Sequence, residues 1–141
     1  MIGLDTNLLI YAHRSAVPEH RAAMRAIEEA AGAEGGWGIA LSCVGEFWAV
    51  VTHPKSSGRP SRPREAQQFL DQLVAAGAKI LYPRSGAMAR LLTLAAQLDI
   101  QGARIFDLQI GLTCHEAGAR EIWSHDRNFV TVPGLTLRDP L

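Results

Sequence analysis

Asp5, Glu46, Asp107 and Asp126 lie far apart in the chain, yet three of them are set in apolar runs. Leu4 and Leu8 to Ile10 flank Asp5, Val44, Phe47 and Trp48 surround Glu46, and Ile105, Phe106 and Leu108 surround Asp107. A lone buried carboxylate costs several kcal/mol unless it is paired or bound to a metal. The bases nearby in sequence, Arg104 and Arg127, are too few to pair every acid. Oxygen donors without a matching histidine or cysteine set favour Mg²⁺, with Mn²⁺ as a substitute. One or two such ions can acidify a bound water and stabilise an in-line phosphoryl transition state. The chemistry implied is phosphodiester hydrolysis with no protein nucleophile.

The surrounding pattern explains how these acids could meet. Short β-like runs alternate with longer helix-like ones: strands over 2–5, 37–41, 79–82 and 121–124, with a possible edge strand over 135–138. Between them the pattern predicts helices over 6–13, 19–31, 64–76, 86–98 and 105–117, and one after Ser42 that ends at His53-Pro54. Ser42 and Ser85 are plausible N-caps. Val44, Phe47, Trp48 and Val51 recur at the spacing of one buried helix face. The helix over 105–117 is apolar nearly all round, which suits a core position. Strands separated by helices of this length imply a mostly parallel sheet with helices on both faces. Ligands of such sheets bind at the carboxyl ends of the strands. Asp5 and Asp126 close the first and fourth strands there, and Glu46 and Asp107 fall in first turns of helices near the same edge.

The chain as a whole sets the limits. Its 141 residues suit a single domain over 1–141. With 48% hydrophobic and 20% charged residues, the composition is that of a globular protein. No apolar stretch approaches the roughly 18 residues of a membrane span. The first strand begins at once, with no signal-peptide pattern, so a cytoplasmic location is expected. Fourteen basic and fourteen acidic residues cancel, so any attraction to nucleic acid must be local. The run from His53 to Arg64 supplies such a patch in Lys55, Arg59, Arg62 and Arg64, with no acid among them. The alternative is a solvated loop. Cys43 and Cys114 read as buried reduced thiols.

Leu4-Asp5-Thr6-Asn7, Gly45-Glu46-Phe47, Phe106-Asp107 and Ser124-His125-Asp126-Arg127-Asn128-Phe129, in this order, resemble a PIN domain, and more closely the VapC-type toxins of bacterial toxin–antitoxin pairs. The resemblance spans almost the whole chain. It implies a PIN-like fold and a Mg²⁺-dependent endoribonuclease whose catalytic and metal-binding acids are Asp5, Glu46, Asp107 and Asp126. It also implies an RNA substrate, a cognate antitoxin and a homodimer. Asn7 and Ser124 match positions that support the acids, with Ser124 standing where threonine is more usual. Asn128 stands where the family often has a further aspartate.

Simpler readings compete at each position. Asp5 and Asp107 could be helix N-caps, and Asp126 a turn residue. Trp37, Trp48 and Trp123 read as core aromatics, and the five histidines form no zinc spacing. Rival functions are an RNA-processing nuclease without an antitoxin, an inactive RNA-binding module, and an aspartyl phosphatase. The last generally needs an acid where Asn7 stands.

Overall fold

The computed structural model describes residues 1–56 and 58–141. Residue 57, inside the loop expected between Pro54 and Pro63, lies outside the described residues. The strands are β1 (Ile2–Leu4), β2 (Trp37–Ala40), β3 (Lys79–Leu81), β4 (Glu121–Trp123) and β5 (Thr136–Arg138). The helices are α1 (Thr6–His13), α2 (His20–Ala31), α3 (Leu41–Val51), α4 (Pro63–Ala75), α5 (Ala87–Gln97) and α6 (Arg104–Glu116). Every strand pairing is parallel, in the order β3-β2-β1-β4-β5.

In this order the chain leaves β1 towards β2 on one side and returns to β4 on the other. The crevice at the carboxyl end of β1 is therefore the switch point where ligands of open parallel sheets bind. The second half of β1 is enclosed: Leu4 is 0% exposed, Gly3 is buried facing α6, and Ile2 is partly buried. A Cβ at Gly3 would stand 2.8 Å from Cys114 Sγ, so only glycine lets α6 approach this closely. α6 buries Leu108, Ile110, Leu112 and Cys114 but leaves Phe106 54% exposed, so it is a core helix along one side rather than all round. α1 packs on α2 and α3, and α3 on α4. Both cysteines are free and buried. Burial pushes the Cys114 thiol up to about 12 and raises that of Cys43, consistent with packing roles.

Several local expectations need correction. α3 starts at Leu41 directly after the strand, so Ala40 is its N-cap and the Ser42 hydroxyl is a buried atom without a partner among the described residues. α5 starts after Gly86, whose φ of +77° makes the turn that Ser85 was expected to cap. The buried face of α3 is Cys43, Phe47 and Val51, whereas Trp48 is 38% exposed; Trp37 and Trp123 are core residues as expected. Among the described residues, no helix is long and apolar enough to cross a membrane.

Candidate active site

Asp5 is the pivot of the site. It is the N-cap of α1, with Oδ1 accepting from Thr6 N at 2.7 Å, so the capping reading is correct as far as it goes. A cap needs no more than that. Yet Asp5 is only 7% exposed, and Oδ2 accepts from Ser124 Oγ at 2.6 Å and from Asn7 Nδ2 at 3.1 Å. Burial pushes its carboxyl up to about 6 even though Ser124 and the Thr6 N–H pull it down, and nearby Asp107 and Glu46 push the same way.

Asn7 and Ser124 tie the start of α1 to the chain leaving β4. Asn7 Nδ2 donates to Ser124 Oγ at 3.0 Å, its Oδ1 accepts from His125 N at 3.3 Å, and Ser124 Oγ also accepts from Asp126 N at 3.0 Å. The segment that carries Asp126 is thus fixed against the start of α1.

The other three acids reach the same edge by separate routes. Glu46 lies in the second turn of α3 rather than the first, and its Oε2 accepts from Thr6 Oγ1 at 2.7 Å. Asp107 is in the first turn of α6, where Ala103 is the N-cap, so the capping reading fails for it. Asp126 is half-exposed; its Oδ1 accepts from Asn128 N at 2.9 Å, a turn contact of the kind expected of a loop aspartate. Arg104 Nη1 joins the last two acids, 2.9 Å from Asp107 Oδ2 and 2.8 Å from Asp126 Oδ2. The Arg104 guanidinium, with the Asn128 N–H, holds the Asp126 carboxyl below its usual range.

Thr6 and Arg104 were not singled out from the sequence as site residues. Thr6 follows Asp5 directly, and Arg104 precedes Asp107 by three residues, the spacing at which helix side chains meet. Those adjacencies were the available signals.

The donor set is oxygen-only and anionic, it includes a carboxylate whose charge is disfavoured by burial and neighbouring acids, and a guanidinium is seated between two of its members. That chemistry fits a hard divalent cation. Among the described residues, no three ligating side chains surround a common point in this arrangement.

Lys55, Arg59, Arg62 and Arg64 are all exposed and are not brought to the carboxylates. Lys55 and Arg59 lie in the loop after α3, and Arg62 and Arg64 at the N-terminal end of α4. Arg14 pins their loop by donating to the Arg59 and Val51 carbonyls and to Ser56 Oγ. Arg59 pairs with Glu65 at 2.8 Å. A groove of about 1010 Å³ opens here, lined by Ile10, Val17 and Val50 together with Arg14, Lys55 and Arg59.

Comparison with known proteins gives the family and the fold. The family model described as the PIN domain matches residues 2–135. Ribonuclease VapC43 of Mycobacterium tuberculosis is 32% identical over 142 residues, covering 100% of this chain and 96% of its own length. Ribonuclease VapC24 of the same species is 28% identical, covering 100% and 97%. Among solved structures, VapBC2 from Rickettsia felis, bound to a DNA fragment from its promoter, superposes with a TM-score of 0.71 at 20% identity and covers 98% of each chain. The Mycobacterium tuberculosis toxin VapC20, which cleaves the sarcin–ricin loop, superposes with a TM-score of 0.69 at 13% identity and covers 92% of each chain.

Proposed function

The chain belongs to the PIN domain family, and from that premise we propose that it is a metal-dependent endoribonuclease, the toxin of a toxin–antitoxin pair, acting at Asp5, Glu46, Asp107 and Asp126. The observation that carries the reading is the convergence on Asp5: a buried carboxylate with a raised pKa, held by Thr6, Asn7 and Ser124, beside Glu46 and Asp107. A structural cap has no use for like charges gathered around it.

In this reading the four acids hold Mg²⁺, or Mn²⁺ in its place. The bound ion would supply acidification of a water molecule and neutralisation of charge on the phosphoryl group. The chain's own residues do the positioning. Thr6 fixes one oxygen of Glu46, the Asn7–Ser124 pair fixes Oδ2 of Asp5, and the same serine anchors the backbone of Asp126. These bonds keep three acids aimed without spending every oxygen, since Glu46 Oε1 has no partner in the hydrogen bonds described.

Lys55, Arg59, Arg62 and Arg64 are proposed to hold the backbone of the RNA where it passes along α1 and α3 away from the reacting phosphate. Single-stranded or looped RNA suits a site at the rim of a sheet, which a strand can enter with its bases splayed. We also propose a cytoplasmic location, a single domain over 1–141, an antitoxin partner and a homodimer. The relatives named VapC and VapBC support the antitoxin over the RNA-processing alternative, and a small neighbouring reading frame with a DNA-binding N-terminus would separate the two.

The experiment is incubation of the purified protein with total cellular RNA and mapping of the new ends. Discrete internal cuts are expected; intact RNA in the presence of Mg²⁺ and Mn²⁺ would overturn the reading.

A further inference from the structure

Arg104 places one nitrogen between two of the acids, with Nη1 2.9 Å from Asp107 Oδ2 and 2.8 Å from Asp126 Oδ2. Asp107 Oδ2 also accepts from Val130 N at 3.4 Å. A pair three residues apart on one helix would by itself be ordinary surface chemistry. The bond to Asp126 is not, because that residue lies beyond β4 and 22 positions along the chain. The oxygens of both acids that converge on one point are therefore already shared with a cation, and that cation belongs to the chain.

Resting on the metal-dependent reading above, we propose that Arg104 is a resident counter-cation: it holds Asp107 and Asp126 together before metal binds, yields them to the divalent ion, and then turns its guanidinium to a phosphate of the RNA beside the scissile bond.

Three features of the site support this. The guanidinium and a divalent ion compete for the same two oxygens, since two cations held a few ångströms apart repel. Release is not costly, because the Arg104 side chain is 41% exposed and pairs in such positions are weakened by solvent. The freed side chain stays at the rim, anchored on the first residue of α6, and its planar set of N–H donors matches the oxygens of a phosphodiester.

The test is calorimetric titration of the metal-free protein with Mn²⁺, without RNA, comparing the parent with Arg104→Gln and Arg104→Lys. Arg104→Gln is expected to bind Mn²⁺ roughly three- to tenfold more tightly, the scale of losing partly exposed ion pairs, with Arg104→Lys nearer the parent. At saturating Mn²⁺ the KM for RNA should rise in Arg104→Gln while kcat changes less. A parent that binds Mn²⁺ and an Arg104→Gln protein that binds it no more tightly would overturn the inference and leave the metal reading standing. Failure of both to bind would overturn the metal reading and the inference together. Tighter binding with an unchanged KM would overturn the phosphate contact. If Arg104→Gln does not fold, the Arg104 Nε–H resonance of the parent replaces it: the resonance must shift on Mg²⁺ addition, and one unmoved at saturation overturns the proposal.

Discussion

Ser124 Oγ donates to Asp5 Oδ2 across 2.6 Å, joining residues 119 positions apart at the carboxyl ends of the two adjacent strands β1 and β4. Both are buried, so the bond is shielded from water. Ser124→Ala should cost about 1–3 kcal/mol, the usual penalty for leaving a buried acceptor short of a donor. It should also raise the Asp5 pKa further and move the acidic limb of any cleavage profile to higher pH. Ser124→Thr keeps the hydroxyl and should stay close to the parent in both. Denaturation curves and a pH–rate profile check this, and an alanine variant matching the parent would remove the bond from the site.

The state of Asp5 gives a pH dependence with a definite sign. Its folded pKa of about 6 exceeds the ordinary 3.8, so between these values the folded protein keeps a proton that the unfolded chain has released. Metal-free protein should therefore lose stability as pH rises from about 4 to 6, by about 3 kcal/mol or less, and carry a constant penalty above that. Asp5→Asn cannot ionise and should lack this component. Parent and variant denatured in EDTA across that range should diverge, and parallel curves would contradict the raised pKa.

For the basic loop, replacing Arg59, Arg62 and Arg64 by alanine removes exposed charges and one exposed ion pair, so folding should change little. RNA affinity should fall, and the slope of log affinity against log salt should flatten by roughly 0.7 for each phosphate that the variant no longer neutralises. Filter binding at several salt concentrations measures this. Unchanged affinity and slope would make the loop a solvated connection.

How far the sequence revealed the site follows from what each residue depends on. Strand and helix limits fell within a residue or two because hydrophobic period and breaking glycines are local signals. Asp5 was legible from its place at a strand end. The misread caps at Ser42 and Ser85 have local structural causes: α3 begins directly on the last residue of β2, and Gly86 supplies a left-handed turn. Trp48 shares the helical spacing of the buried face but lies at its margin, where hydrophobicity alone does not decide exposure. The bridge from Arg104 to Asp126 could not be read, because it depends on where α6 starts relative to the end of β4.

Asp107→Asn separates activity from folding. It removes one charge beside Asp5 and one partly exposed ion pair to Arg104, opposing effects that should leave stability within about 1 kcal/mol of the parent. Mg²⁺, binding the folded state, should raise the Tm of the parent more than that of the variant. Melting curves with and without Mg²⁺ measure both, and an equal Mg²⁺ gain in Tm would exclude Asp107 as a ligand.

The most direct test of the four-carboxylate site is the cleavage rate of one RNA by the parent, in Mg²⁺ and in EDTA, beside Asp5→Asn, Glu46→Gln, Asp107→Asn and Asp126→Asn. Cleavage by the parent should vanish in EDTA and return with Mg²⁺. Each variant should fold, yet cut at least about a hundredfold more slowly, because several kcal/mol of transition-state stabilisation depend on the full set. Full cleavage in EDTA after verified metal removal, or variants that all cut at the parental rate, would contradict it.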